Sequence, residues 1–253
     1  GEYHYLILDA HYEKVRTNGS VQSCAVFTAI GINTDGKREI LGVSVSLSEA
    51  EVHWRDFLKY LLARGLHGVT LITSDAHSGL RAARQSLFNG VWWQRCQFHL
   101  QQNAQAYVPK KSMQKQVHDG IADVFAAPNG ELAQARLKYY VEKYAESAPA
   151  LSEWMEENLP EGLTVFEFPQ KHRKRMRTSN PLERLHEEIN RRTRVARLFP
   201  NEASLLRLVS AIEMEISEDW LAGKRYLNMN AEEENENESV KSDKKKFYRK
   251  NVA

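Results

Sequence analysis

Short apolar and β-branched runs punctuate the first hundred positions, at 5–8, 24–32, 39–46, 69–74 and 91–95. Runs of this length bounded by turn signals predict strands. The first three, with Asp35-Gly36 between the second and third, read as a meander. Ser48-Glu49-Ala50-Glu51 then has capping-box spacing, and Val52, Leu58, Leu61 and Leu62 carry a helical stripe to Arg64-Gly65. A second helix starts near Ser78. The order strand, strand, strand, helix, strand, helix, strand predicts a mixed α/β sheet, because a helix between strands permits a parallel crossover.

From Gln97 to about Trp154 helix formers dominate, β-branched residues thin out, and Pro109, Pro128-Asn129-Gly130 and Pro149 punctuate the chain. This stretch reads as an all-helical insertion. An apolar stretch at 163–168 follows, then a basic segment, then a helix over 201–220. After Met229 apolar residues almost vanish: 231–239 hold five Glu and no base, and 240–253 hold six Lys or Arg against one Asp, the composition of a disordered tail. The expected division is 1–96 and 161–229 as two parts of one core, 97–160 as the helical insertion, and 230–253 as the tail.

Composition narrows the class. The chain has 253 residues, 42% hydrophobic and 27% charged, with no apolar run near the roughly 20 residues that span a bilayer, so no membrane partner is expected. Cys24 and Cys96 are too few for a disulfide framework and no signal-like stretch opens the chain, which predicts a reducing, intracellular setting. The opening at Gly1, without Met, raises the expectation of a part lying upstream. The net charge of +2 hides strong segregation. Residues 170–197 carry ten bases (Lys171, Arg173, Lys174, Arg175, Arg177, Arg184, Arg191, Arg192, Arg194, Arg197) against Glu183, Glu187 and Glu188, a local charge of +7. That suits a polyanion, although a solvated helix face would carry the same charges. Lys171, Arg173, Lys174, Arg175 and Arg177 alternate as on a strand or loop laid along phosphates.

Two apolar runs end in an aspartate, Leu8 running into Asp9 and Ser74 into Asp75. If the two strands lie side by side in parallel, both carboxylates emerge at one edge, where oxygen-only ligation favours Mg²⁺ or Mn²⁺. An aspartate after a strand also simply caps a turn. In Thr178-Ser179-Asn180-Pro181-Leu182-Glu183, Asn180 is the expected N-cap and Pro181 the first helical residue, with Leu182, Leu185 and Ile189 facing the core. Glu183 has the spacing of a capping-box glutamate, but an acid amid ten bases is also well placed to hold a metal against a phosphate backbone.

These residues carry a resemblance. The runs Leu8-Asp9-Ala10-His11-Tyr12-Glu13-Lys14-Val15-Arg16, Ser74-Asp75-Ala76-His77-Ser78-Gly79-Leu80 and Gln94-Arg95-Cys96-Gln97-Phe98-His99 resemble the Mutator-like family of bacterial insertion-sequence transposases. So do Val108-Pro109-Lys110-Lys111, Ser179-Asn180-Pro181-Leu182-Glu183-Arg184 and Lys224-Arg225-Tyr226-Leu227-Asn228-Met229, so that the likeness covers residues 3–229. His11 departs from an Arg that is common there, and Gln102 from an expected base. The resemblance implies an RNase H-like fold with a helical insertion between the second Asp and the Glu, and Asp9, Asp75 and Glu183 as DDE ligands of two Mg²⁺ or Mn²⁺ ions. The implied reaction is two-metal phosphoryl transfer, cleaving transposon-end DNA and joining the 3′-OH to target DNA. The implied partners are terminal inverted repeats and target DNA, with a homodimer on DNA in the bacterial cytoplasm, at the nucleoid.

Cys96 and His99 lie three apart, but a structural zinc site wants four ligands and the other Cys is far upstream. The resemblance instead gives this Cys-x-x-His signature a role in DNA positioning or strand transfer, with His99 reaching the scissile phosphate. Core packing is the plainer use of the same pair. Trp92 and Trp93 sit in a predicted strand that sends one outward, where it packs or stacks on an unpaired base. Two other functions fit the sequence: an RNase H-like nuclease without strand transfer, and a domesticated DNA-binding derivative.

Overall fold

The computed structural model describes residues 1–194 and 198–229. Arg197 and the charged tail 230–253 lie outside the described residues. The chain divides into two compact units, one formed by Gly1–Trp93 with Thr178–Met229 and the other by Gln94–Arg177.

The first unit is built on a long hairpin, β1 (Tyr3–Thr17) and β2 (Ser20–Asn33), closed at Asn18-Gly19. Both turn residues have positive φ, 50° and 79°, as a two-residue turn matched to strand twist requires. β3 (Arg38–Ser46) pairs antiparallel with β2, and β4 (Leu71–Ser74) pairs parallel with β1. With β5 (Trp92–Arg95) the sheet order is β3-β2-β1-β4-β5, a mixed sheet of the expected kind. β1 corrects one expectation. It does not end at Leu8: it runs on to Thr17, so Asp9 stands inside a strand. The polar second half of β1 is held by its ladder with β2, from His11↔Val26 to Thr17↔Ser20, and by Phe199, whose N–H donates to the Lys14 carbonyl.

Strand alternation sends the odd and even residues of β1 to opposite faces. Leu6 and Leu8, with Phe27, Ala29 and Ile72, pack into one cluster with Trp54, Leu58 and Leu61 of α1 (Glu51–Ala63) and Leu80 and Ala83 of α2 (Ser78–Leu87). Phe27 meets Trp54 edge-on at 4.5 Å. The helix begins at Glu51 with Ala50 as its N-cap and no side-chain cap, so Ser48 does not fill the capping role its spacing suggested. Gly79 lets α2 approach the loop that precedes α1, since a Cβ there would collide with the Glu49 carbonyl. The opposite face carries Asp9, His11 and Glu13 of β1 and Thr28 of β2, and meets α8 (Asn180–Thr193) and α9 (Glu202–Ala222). α9 opens at Asn201, whose side chain accepts from the Ser204 N–H at 2.8 Å.

The second unit contains α3 (Gln97–Ala104), α4 (Gln114–Phe125), α5 (Gly130–Tyr144), α6 (Pro149–Asn158) and α7 (Gln170–Met176), with short 3₁₀ turns between them. The apolar stretch at 163–168 becomes one such turn, Thr164–Glu167. Buried Gln94 organises this region: its amide donates to the Gly162 carbonyl at 2.8 Å and its Oε1 accepts from the Val165 N–H at 2.6 Å. The basic run 171–177 is helix α7, neither strand nor loop. Lys, Arg, Gln and Met are good helix formers and the run lacks β-branched residues, so i, i+2 charge alternation misled there. Among the described residues no helix is long and apolar enough to cross a membrane.

Candidate active site

The parallel register of β1 and β4 runs Tyr5↔Leu71, Leu6↔Ile72, Ile7↔Thr73. Continued two residues, that register passes the end of β4 at Ser74 and leads to Asp75 at the level of Asp9. Each carboxylate is oriented by a backbone amide: Asp9 Oδ1 accepts from the Ala10 N–H and Asp75 Oδ1 from the His77 N–H, both at 3.0 Å. Asp9 is buried, and Asp75 is half-buried where the chain leaves β4 for α2.

Glu183 stands in the first turn of α8, partly exposed, where an acid is favoured by the helix dipole. The N-cap is Ser179 and not Asn180, which is already helical. Pro181 then falls in the first turn, and the Glu183 N–H donates to the Ser179 carbonyl at 3.1 Å. The Ser179 hydroxyl lies 3.5 Å from Glu183 Oε1. Leu182, Leu185 and Ile189 are buried, as their spacing predicts.

One turn beyond Glu183 on α8 comes His186, which sequence reasoning did not single out. It is buried against β1, with Nδ1 3.9 Å from Asp9 Oδ2 and its ring 4.2 Å from that of His11, tilted by 37°. Burial pushes the His11 imidazole down to about 4 and holds His186 well below the usual histidine range, with the neighbouring His11 adding to the effect. Both rings are therefore neutral at neutral pH. The available signal was the helical stripe itself, for His186 falls between Leu182, Leu185 and Ile189 on the face that sequence assigns to the core.

A second group lies at the other face of the same sheet end. Tyr12 bonds Glu49, and His77 Nδ1 lies 3.6 Å from Glu49 Oε2. Burial first, then the Glu49 bond and the charges of Glu49 and Asp75, push the Tyr12 phenol up to about 12. Tyr12 is nonetheless one of the exposed large side chains.

The predicted DNA contacts separate by unit. On α7, Lys171, Lys174 and Arg175 are exposed, whereas Arg173 is structural: its Nε and Nη1 donate to the carbonyls of Phe168 and Pro128, each at 2.8 Å. Arg177 is the C-cap of α7. On α8, Arg184 is exposed, while Arg191 donates to Glu188 at 2.7 and 2.8 Å. Arg192 spans Glu188 and Glu215, at 2.7 and 2.8 Å. Hydrogen bonds from Arg191 and Arg192 hold Glu188 down to about 2. Part of the +7 segment is thus neutralised within its own fold. His99 lies on α3 of the second unit, and Cys96 is the buried N-cap residue of that helix. Trp92 is exposed on β5 beside Thr70, whose carbonyl its N–H bonds at 3.1 Å, so it stands at the end of β4 away from Asp75. Trp93 points inward, donating to Ser74 Oγ at 3.0 Å under the guanidinium groups of Arg81 and Arg84.

Comparison with known proteins defines the class. The family model described as "Transposase, Mutator family" matches residues 1–223. The chain belongs to that family. Its relatives include the transposase for insertion sequence element IS406 of Burkholderia multivorans, 52% identical over 230 residues, covering 91% of this chain and 59% of that protein. The transposase for ISRM5 of Rhizobium meliloti is 43% identical, covering 89% of this chain and 56% of its own length. That for IS1081 of Mycobacterium tuberculosis is 37% identical, covering 90% and 55%. The chain thus spans somewhat over half the length of the curated relatives it matches. A solved structure of the catalytic core domain of BIV integrase aligns only loosely, at 15% identity and a TM-score of 0.26 over 60% of this chain and 81% of that one.

Proposed function

We propose that the first unit is the catalytic core of a DDE transposase with an RNase H-like sheet, interrupted between Asp75 and Glu183 by a helical insertion. The observation that carries the reading is the parallel β1–β4 register, which, continued just past Ser74, leads to Asp75 at the level of Asp9. α8 supports it by bringing its first two turns to the Asp9 face of the sheet.

The donor set fits a hard divalent cation. Asp9, Asp75 and Glu183 offer only carboxylate oxygens, and carboxylates brought close together form a costly grouping that Mg²⁺ or Mn²⁺ would relieve. When bound, a pair of such ions polarises the scissile phosphate and makes water or a DNA 3′-hydroxyl a better nucleophile. The remaining work falls to the protein. Asp9 stands within β1 and Asp75 directly follows β4, while Glu183 rides on a helix. Exposed Lys171, Lys174, Arg175 and Arg184 offer salt-sensitive phosphate contacts that add affinity with little sequence information. His99 is assigned to the scissile phosphate, and a homodimer on DNA presents two element ends together.

The test is an assay of plasmid DNA with Mg²⁺ or Mn²⁺ that resolves nicked, cleaved and joined products. Wild type is expected to give joined molecules, and Glu183→Gln neither cleavage nor joining. Cleavage without joining makes the chain a nuclease, and full activity in Glu183→Gln removes this residue from the centre.

A further inference from the structure

The proposed centre leaves two buried imidazoles without a task. His11 follows Asp9 by two on the same face of β1, and His186 follows Glu183 by one turn on α8. Packing does not call for an imidazole at either place. His11 Nδ1 and Nε2 and His186 Nε2 are buried without hydrogen-bond partners, a burden that phenylalanine or leucine in the same space would avoid. What apolar rings would lose is the approach of His186 Nδ1 to Asp9 Oδ2 and that of His11 Nε2 to Glu13 Oε1, each at 3.9 Å.

The same helix is tied to the same strand once more. Two turns past His186, the Thr193 hydroxyl donates to Glu13 Oε1 at 3.0 Å. The seven helical residues between these ties rise about 10 Å. The four strand residues from Asp9 to Glu13 span about 13 Å. Helix and strand therefore run side by side, and the pair of ties determines how far α8 can slide along β1. Glu183 sits at the leading end of that rail.

We infer that His186 is a positioning residue. It holds the outer oxygen of Asp9 and, braced by the ring of His11, sets where Glu183 stands along β1. A closure of about 1 Å converts the present approach into a hydrogen bond. Carboxylates that ligate metals depend on such outer partners, whose loss typically lowers metal affinity about 10–100-fold. The inference rests on the proposed catalytic reading of Asp9.

The experiment is calorimetric titration of the whole chain with Mn²⁺, without DNA, alongside thermal melting. His186→Phe keeps a ring against His11 but no nitrogen, and is expected to weaken Mn²⁺ binding about 10–100-fold with an unchanged or raised melting temperature. His186→Asn, whose amide nitrogen reaches the Nδ1 position, is expected to restore most of the affinity. His186→Gln, which reaches the Nε2 position, is expected to restore little. If phenylalanine is not tolerated, the Asn and Gln pair decides the same point. Wild-type affinity in His186→Phe, or equal affinities in the Asn and Gln variants, overturns the positioning role. Asp9→Asn separates this from the larger reading. Lost binding in Asp9→Asn with full binding in His186→Phe removes only the role of His186, whereas full binding in Asp9→Asn overturns the catalytic centre and the inference with it.

Discussion

The two faces of the central sheet are made to different specifications. Against α1 and α2 the sheet presents Leu6, Leu8, Phe27, Ala29 and Ile72, and the helices answer with Trp54, Leu58, Leu61 and Leu80. Against α8 and α9 the same strands present Asp9, His11, Glu13 and Thr28, and the helices answer with His186, Thr193 and Glu213. Apolar burial at about 25 cal/mol per Å² is the main source of stability, and buried polar groups subtract from it unless each is fully partnered. The first face thus holds the unit together. The second carries groups that folding alone does not ask for, and such groups concentrate at functional sites.

The contrast is sharpest for large-to-small changes. Trp54→Ala empties the centre of the apolar face and is expected to cost about 3–5 kcal/mol in denaturant unfolding, enough to leave the unit marginal. A cost below about 1 kcal/mol would mean that this face is not the structural one.

Glu213 tests the polar face by pH. Its Oε1 accepts from the Thr28 hydroxyl at 2.8 Å, its Oε2 is buried without a partner, and burial pushes its carboxyl up to about 8. The folded chain therefore keeps a proton that the unfolded chain releases near 4.5. Its stabilising contribution is complete below 4.5 and is lost as pH rises through 8, at about 1.4 kcal/mol per pH unit in that window. Glu213→Gln removes the ionisation and is expected to flatten the stability profile and to exceed wild type at pH 9. An unchanged pH profile would show that Glu213 is not the buried acid described.

The smallest effect is expected at the rim. Arg191 and Glu188 form a solvent-exposed pair, so Arg191→Ala should change the melting temperature little and lose what effect it has in high salt. A large, salt-independent loss would make the pair part of the structure of α8.

The sheet was largely legible because its strands are apolar runs closed by turn signals. The helical reading of α1, α2, α8 and α9 followed from spacing in the same way. What the chain hid was long-range. Nothing in Tyr12-Glu13-Lys14 says strand by itself, since that arm of β1 is supported by pairing with β2 and by Phe199, so Asp9 was placed at a strand end it does not occupy. α7 was misread because alternate arginines look alike on an extended segment and on a short helix. His186 was passed over because an imidazole on a core stripe gains meaning only when the strand beneath it is known to carry Asp9 and His11. Likewise the ties of Arg191, Arg192 and Arg173 depend on partners 3 to 45 residues away.

The central claim is that the carboxylates of Asp9 and Asp75, joined by Glu183, share divalent cations. The most direct measurement is the anomalous scattering of Mn²⁺ in crystals of the chain. The account predicts a peak within about 2.0–2.6 Å of oxygens from both Asp9 and Asp75. Manganese bound only elsewhere, with these two carboxylates engaged by protein groups alone, would contradict it.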